Sequence, residues 1–364
     1  MSNATAAGAP PATNEARFSA EALERFASDL LRKAGMDGAV ADTTARVLVE
    51  GDLMGHDKHG LALLVPYVKE VEKGSMARSG EPRVLSDRGA SLLWDGRRLP
   101  GPWLVASGID TLMPRARQYG SATLVIRHSH HIACLAAYLL QATDAGFMML
   151  LASSDADVRS VAPHGGTRAV VTPNPIAAGI PTSTTPILID ISSSITTNGM
   201  CARMHRAGRQ FDEEWLIDGE GRPSRDPAVL YADPPGTVLP LGGLVSGYKG
   251  FGMALMVEAL TGGLAGYGRA DPPVGWGATV FVSLYDPSAF GGADDFARQT
   301  DWLADATRTN PPRPGFDAVR VPGDRAVALR AEQRSAGVKL HATIPPMLSE
   351  CAQRLGVPFP SAIG

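Results

Sequence analysis

The stretch ATLVIRHSHHIACLAAYLLQATDAGFMMLLASS, residues 122–154, decides the fold class. Ala122–Ile126 and Phe147–Ala152 are short apolar runs of strand length, and Ile132–Thr143 between them has the length of a helix. Pro186–Ile191 adds another apolar run. Apolar runs alternating with helices argue for an α/β lobe, and taken alone this rhythm suggests a parallel sheet. A helix near Gly250–Leu264, a strand near Ala278–Leu284 and a helix near Asp295–Thr307 continue the pattern.

Upstream, the spacing changes. Ser19 can cap a helix in which Leu23, Phe26, Ala27, Leu30 and Leu31 recur at helical spacing, with Gly35 as its stop. Further helical patterns run from about Val40 to Met54 and from Leu61 to Lys73, the latter closed by Gly74. A short strand at Ser91–Trp94 and a helix near Trp103–Gln118 follow. The Pro/Arg-rich Asn310–Gly315 reads as a linker back to this first lobe, and Ala326–Leu355 is again helical.

With 364 residues the chain is long for one core, since single cores stop growing near roughly 250–300 residues. Two lobes are expected: residues 16–118 with 310–364 returning to them, and residues 119–309. Residues 1–15 read as a disordered tail. A hydrophobic fraction of 44% with 20% charged residues describes an ordinary globular protein. The formal charge of −3 gives no electrostatic basis for binding nucleic acid or an anionic membrane. No apolar stretch approaches the roughly 20 residues of a membrane span. Cys134, Cys201 and Cys351 are odd in number and lack a CxxC spacing, which points away from a disulfide framework and toward a reducing cytoplasm.

The residues that could carry chemistry are few. No GxGxxG motif opens a helix after a strand, so the Rossmann fingerprint is missing. Three histidines crowd Arg127-His128-Ser129-His130-His131 in a loop after a strand. One of them suits proton transfer near neutrality, and the alternative is a polar loop with one histidine capping the helix. A metal at His128 and His130 would need acid or thiol partners that no nearby spacing supplies, so no metal is expected. His59 stands before the third helix with His56 three residues earlier. Asp190 closes a buried run, either as a cap for the Ser192–Thr197 turn or as the partner of an imidazole. Lys249, in Tyr248-Lys249-Gly250-Phe251-Gly252, is read at the opening of a helix, where it could face an anion or only solvent.

Together, Gly55-His56-Asp57-Lys58-His59-Gly60, Val161-Ala162-Pro163-His164-Gly165-Gly166, Asn174-Pro175-Ile176-Ala177, Asp190-Ile191-Ser192-Ser193-Ser194 and Gly247-Tyr248-Lys249-Gly250-Phe251-Gly252 resemble the malate/L-lactate dehydrogenase type 2 family. The resemblance runs from about Phe18 to Pro346. It implies a non-Rossmann nicotinamide-binding α/β fold with a large, mainly antiparallel sheet in the cofactor lobe, residues 119–309, plus a helical lobe built from both chain ends. It also implies a homodimer, NAD or NADP as cofactor, and hydride transfer to or from C2 of a small 2-oxo or 2-hydroxy acid.

By the same resemblance, His59, His131 and Asp190 are the catalytic group, and Ser154, Asn174, Asp190, Ile191, Ser192, Lys249, Pro322, Gly323 and Asp324 contact the cofactor. Lys58 and Leu63 face the substrate. Three positions depart from the family: Lys58 replaces a serine, Leu63 an arginine, and Met200 a lysine. Losing an arginine that grips a carboxylate in two parallel hydrogen bonds predicts weak use of malate and lactate. Reduction of a cyclic C=N bond on the same scaffold and a catalytically silent homologue are the alternative readings.

Overall fold

The computed structural model describes residues 16–363; the tail read at residues 1–15 lies outside them. Helix α1 (Ala20–Lys33) begins where Ser19 Oγ accepts the Ala22 N–H, and it buries Leu23, Phe26, Leu30 and Leu31. Helix α2 (Gly38–Leu53), capped by Asp37, packs along it. Helix α3 (Leu64–Lys73) follows a 3₁₀ turn and ends at Gly74, whose φ of +78° favours glycine. The chain's other end joins this layer: α9 (Asp324–Ala336) lies on α2, and α10 (Ile344–Leu355) lies on α1 and α3. Strands β1 (Arg17–Phe18) and β12 (Val338–Lys339) pair antiparallel and tie the two ends together.

The main sheet contains β2 (Arg83–Asp87), β3 (Ser91–Asp95), β4 (Ser121–Ser129), β5 (Met148–Ser154), β6 (Pro175–Ile180), β7 (Ile187–Ser192) and β11 (Ala278–Tyr285), in the order β2-β3-β4-β11-β5-β6-β7. Only β3 and β4 are parallel, joined by the crossover helix α4 (Gly101–Tyr119); every other pair is antiparallel. Strands β2 and β3 and helix α4, from the segment that the sequence groups with the helices, therefore belong to the sheet and its cover.

The expectation of a parallel sheet from rhythm alone is corrected here, and the reason is physical. Strands β4 and β5, connected through α5 (Ala136–Thr143), do point the same way, but β11 sits between them and runs opposite to both. Their continuous apolar runs reflect burial on both faces, the usual mark of parallel strands. Leu124, Ile126, Met149, Leu151, Val280, Val282 and Leu284 join the main core, whereas Val125, Ala152 and Phe281 pack on the other face with Val257 and Ala265.

Helix α7 (Gly243–Glu258) supplies Val257 and runs on into a π turn, Ala259–Gly263. It starts at Gly243, so Lys249 lies in its second turn and does not open it as read from the sequence. A small sheet of β8 (Leu216–Ile217), β9 (Pro223–Ser224) and β10 (Thr237–Val238), with α6 (Asn198–Arg206), forms a satellite core, and α8 (Ala293–Arg308) covers the β7 edge. Among the described residues no helix is long and apolar enough to cross a membrane.

One buried side chain fixes how the chain ends meet. Gln333 on α9 donates to the carbonyls of Asp52 and Leu53 at 3.0 Å each and accepts the Lys339 N–H at 2.7 Å, satisfying the last turn of α2. Gln333→Ala strands these groups and is expected to cost about 1–3 kcal/mol. A urea midpoint indistinguishable from wild type would show that water replaces the amide without loss.

Candidate active site

The last turn of α2 leads into the loop Gly55–Gly60, and a buried carboxyl holds that loop down. Asp52 Oδ2 accepts the Leu61 N–H at 2.6 Å. A Cβ on Gly60 would lie 2.3 Å from the same oxygen, so the loop can pass this close only with glycine at position 60. Burial pushes the Asp52 carboxyl up to about 8, against the pull of the Leu61 N–H. From the other side, Arg203 of α6 pairs with Asp57 at 3.1 Å, and Lys58 Nζ lies 3.4 Å from Met200 Sδ. Lys58, His59 and Leu63 thus line one wall of a cleft of about 580 Å³.

The opposite wall comes from the segment after β4. His130 is wholly buried, and Ala133 takes a left-handed φ of +59°, a conformation costly for a side chain. The His131 ring is locked: its Nδ1 lies 2.9 Å from Tyr67 Oη and accepts the Ala133 N–H at 3.3 Å, and Trp276 packs 4.9 Å from its centroid. Burial, reinforced by His59 and His130, drives the His131 imidazole down to about 3. His59 stacks at 6.4 Å and 26° from His131. Burial lowers its pKa also, but Asp190 acts in the opposite direction.

Asp190 projects from β7, where it pairs with Ala177 of β6. Its Oδ2 accepts the Ala136 N–H at 3.0 Å, at the start of α5. It does not cap the Ser192–Thr197 turn, where Ser192 Oγ donates to the Ser194 carbonyl and Thr197 caps α6. One ring nitrogen of His56, Cys134 Sγ and a carboxylate oxygen of Asp190 lie within 4.8 Å of one another.

Of the residues expected around a cofactor, Ser154, Asp190 and Ser192 line the cleft. Ser154 Oγ donates to Glu258 at 2.8 Å, and Asn174 Nδ2 donates to the same carboxylate at 2.9 Å, with Arg269 closing the network. Asn174 is wholly buried with φ +44°, and its Oδ1 has no hydrogen-bond partner. Ile191 is exposed beside these residues on β7.

The structure does not bring the remaining expected contacts to the cleft. Lys249 is exposed on α7 and outside the lining, with its ammonium 5.8 Å from the Tyr248 ring. Pro322 accepts the Leu188 N–H at 2.9 Å, and Asp324 is taken by Arg308 at 2.7 Å, so that segment braces β7 from outside. His128 pairs with Asp95 at 3.1 Å and His130 lies 3.7 Å from Glu70, so these two histidines do not converge. His56, Tyr67, Cys134 and Trp276 belong to the site although sequence reasoning gave them no role there. Only His56 carried a signal, its place inside the Gly55–Gly60 motif.

A cleft of this volume suits a nicotinamide with a small acid, and Ser154 and Ser192 in its lining fit the polar groups of such a cofactor better than they fit a dry core. Residues 18–348 match the profile of the malate/L-lactate dehydrogenase family. The chain belongs to that family. It is 30% identical to L-lactate dehydrogenase of Cupriavidus necator, covering 95% of this chain and 100% of that protein. It is 31% identical to (2R)-3-sulfolactate dehydrogenase (NADP(+)) of Chromohalobacter salexigens, covering 85% and 90%. The fold matches the crystal structure of malate dehydrogenase from Entamoeba histolytica with a TM-score of 0.88 at 23% identity, covering 94% and 99% of the two chains. Membership makes the protein an oxidoreductase that uses NAD or NADP on a small 2-hydroxy or 2-oxo acid, on the mainly antiparallel, non-Rossmann sheet that the resemblance implied.

The buried Asp52 gives this site a pH signature. Its folded pKa of about 8 stands well above the ordinary aspartate range, so the native state holds a proton from about pH 4 to 8 where the unfolded chain has lost it. The stability this contributes is complete at low pH and is lost as pH rises from about 4 toward 8. Asp52→Asn removes that dependence. Urea midpoints measured from pH 5 to 8.5 are expected to fall for wild type relative to the variant; parallel profiles would contradict the assignment. Gly60→Ala is expected to displace the loop and lower turnover, and unchanged kinetics would show that the close approach is dispensable.

Proposed function

We propose that the chain interconverts a 2-hydroxy acid and its 2-oxo acid with His59 as the proton-transfer group, Asp190 as its orienting carboxylate, and Lys58 as the cation that receives the substrate's anionic end. The observation that carries this reading is the contrast between the two imidazoles. His131 has Nδ1 engaged by Tyr67 and Ala133 and is driven down to about 3. His59 is the one that Asp190 opposes burial to keep basic. When bound, the nicotinamide supplies or accepts the hydride; the protein's work is to hold Ser154 and Ser192 beside it, to exclude water, and to move one proton. A lowered His59 pKa leaves the imidazole neutral at pH 7, ready to take the proton from a substrate hydroxyl.

Lys58 bears on substrate choice. The family's lysine at position 200 is methionine here and its serine at position 58 is lysine, and these two side chains touch. The positive charge is therefore kept at one place in the cleft but carried by the opposite wall. Leu63 leaves the planar carboxylate clamp missing, so a flexible point charge replaces a fork. Malate and lactate are expected to be poor substrates.

The homodimer expected from the family has a surface suited to it. Helix α7 exposes Leu244, Val245, Tyr248, Leu255 and Met256, with Val245 87% exposed. A helix that is apolar on its outer face seeks cover, and a second copy supplies the same face. The three buried, unpaired cysteines suit a reducing cytoplasm.

Steady-state oxidation of a panel of 2-hydroxy acids tests the reading. His59→Asn is expected to lower kcat by about 10²-fold or more while reduced-cofactor fluorescence titrates as in wild type, with a smaller effect from His131→Asn. Full activity of His59→Asn would remove the proposed role. Lys58→Met should raise KM for the preferred acid, and Leu63→Arg should improve malate; efficient malate turnover by wild type would overturn the substrate assignment. Val245→Glu should shift sedimentation from dimer to monomer, and an unchanged sedimentation coefficient would place the interface elsewhere.

A further inference from the structure

The cleft holds a donor set in which His56 and Cys134 take no part in the proton chemistry above, while Asp190 is shared with it. One ring nitrogen of His56, the thiol sulfur of Cys134 and a carboxylate oxygen of Asp190 lie within 4.8 Å of one another. They come from three separate parts of the fold: the loop after α2, the strained segment before α5, and strand β7. Cys134 Sγ is 3.9 Å from Asp190 Oδ2. The left-handed turn at the preceding Ala133 accompanies this placement of the thiol on the cleft wall, a backbone cost of the kind that collects at ligand sites.

We propose that these three side chains form a binding site for a thiophilic divalent cation such as Zn²⁺, with its fourth position open to the cleft, and that occupancy inhibits the enzyme. Sulfur, imidazole nitrogen and carboxylate oxygen are the ligand types of tetrahedral zinc, at bond lengths of about 2.0–2.3 Å. Donors already within 4.8 Å of each other reach such a cation by small side-chain rotations. Hard cations such as Mg²⁺ require an oxygen shell that this set does not provide. Binding exchanges the Cys134 thiol proton for the metal, so one proton leaves as the sulfur–metal bond forms and no electrons move. A cation here takes Asp190 away from His59 and places positive charge beside the imidazole that must accept a proton. Inhibition follows from both effects.

The spectroscopic arm of the test does not depend on turnover. Co²⁺ is titrated into the full-length protein and into Cys134→Ser and His56→Ala, each checked for native circular dichroism. The expected result is one equivalent per wild-type chain with a thiolate-to-cobalt charge-transfer band in the near ultraviolet. That band should be absent from Cys134→Ser, and binding should be weakened at least about tenfold in His56→Ala. In the second arm, Zn²⁺ should inhibit wild type, and each variant relative to its own basal rate should need at least about tenfold more, while Mg²⁺ has no effect. Absence of the band in folded wild-type protein, or a band retained by Cys134→Ser, overturns the site. Zn²⁺ inhibition equal in wild type and both variants overturns the inhibitory role. Should the protein turn over no 2-hydroxy acid, the function proposed above fails while the cobalt spectrum still decides the metal site.

Discussion

One hydrogen bond, from the Ala136 N–H to Asp190 Oδ2 at 3.0 Å, ties the edge of the sheet to the first turn of α5. Strand β7 is the last strand of the sheet, with only β6 beside it in the ladder and the Pro322 segment bracing its outer side, so this bond is its polar tie to α5. Two positions before Ala136 stands Cys134 and, three positions further back, His131. Fixing Asp190 to α5 therefore places the carboxylate against the wall that carries the second imidazole. The loop from α2 closes the third side. It is held there by Asp52 beneath it and by Arg203 and Met200 across the cleft.

The helical layer, built from both chain ends, sets the third side of the cleft. The Gly55–Gly60 loop is only as well placed as the end of α2, and the end of α2 is satisfied by Gln333, about 280 residues further along the chain. Glu50, in the same turn, is paired with Arg334 at 2.9 Å and with Arg330. Stability at this junction and geometry at the cleft are thus one problem. The electrostatics follow from burial: both imidazoles are pushed toward their neutral forms, and Asp190 acts on His59 alone among them.

Much of the fold was legible in the sequence because its signals are local. Ser19, Gly74 and the helical spacing of Leu23 to Leu31 mark their elements directly, and the apolar runs of β4, β5, β7 and β11 stand out because both sheet faces are covered. Their direction was not legible, since β11 enters between β4 and β5 from some 120 residues away. Strands β2 and β6 and helix α6 were not read at all; β2 is a largely exposed edge strand, and β6 is broken up by proline and glycine. For the site, the motifs picked out His59, His131 and Asp190, which the fold does bring to one cleft. Tyr67, which locks His131, reads only as a core residue of α3, and the contact between Lys58 and Met200 spans 142 residues. Lys249 and Pro322-Gly323-Asp324, matched by motif alone, lie outside the cleft lining, the first facing outward and the second bracing β7.

The central claim is that Asp190 sets the basicity and orientation of His59. The most direct measurement is the pH dependence of kcat/KM for oxidation of the preferred 2-hydroxy acid by wild type and by Asp190→Asn. The account predicts a loss on the order of 10²-fold or more in the variant, with the limb that reports imidazole protonation shifted to lower pH and cofactor affinity retained. An Asp190→Asn enzyme with the wild-type rate and the wild-type profile would contradict it.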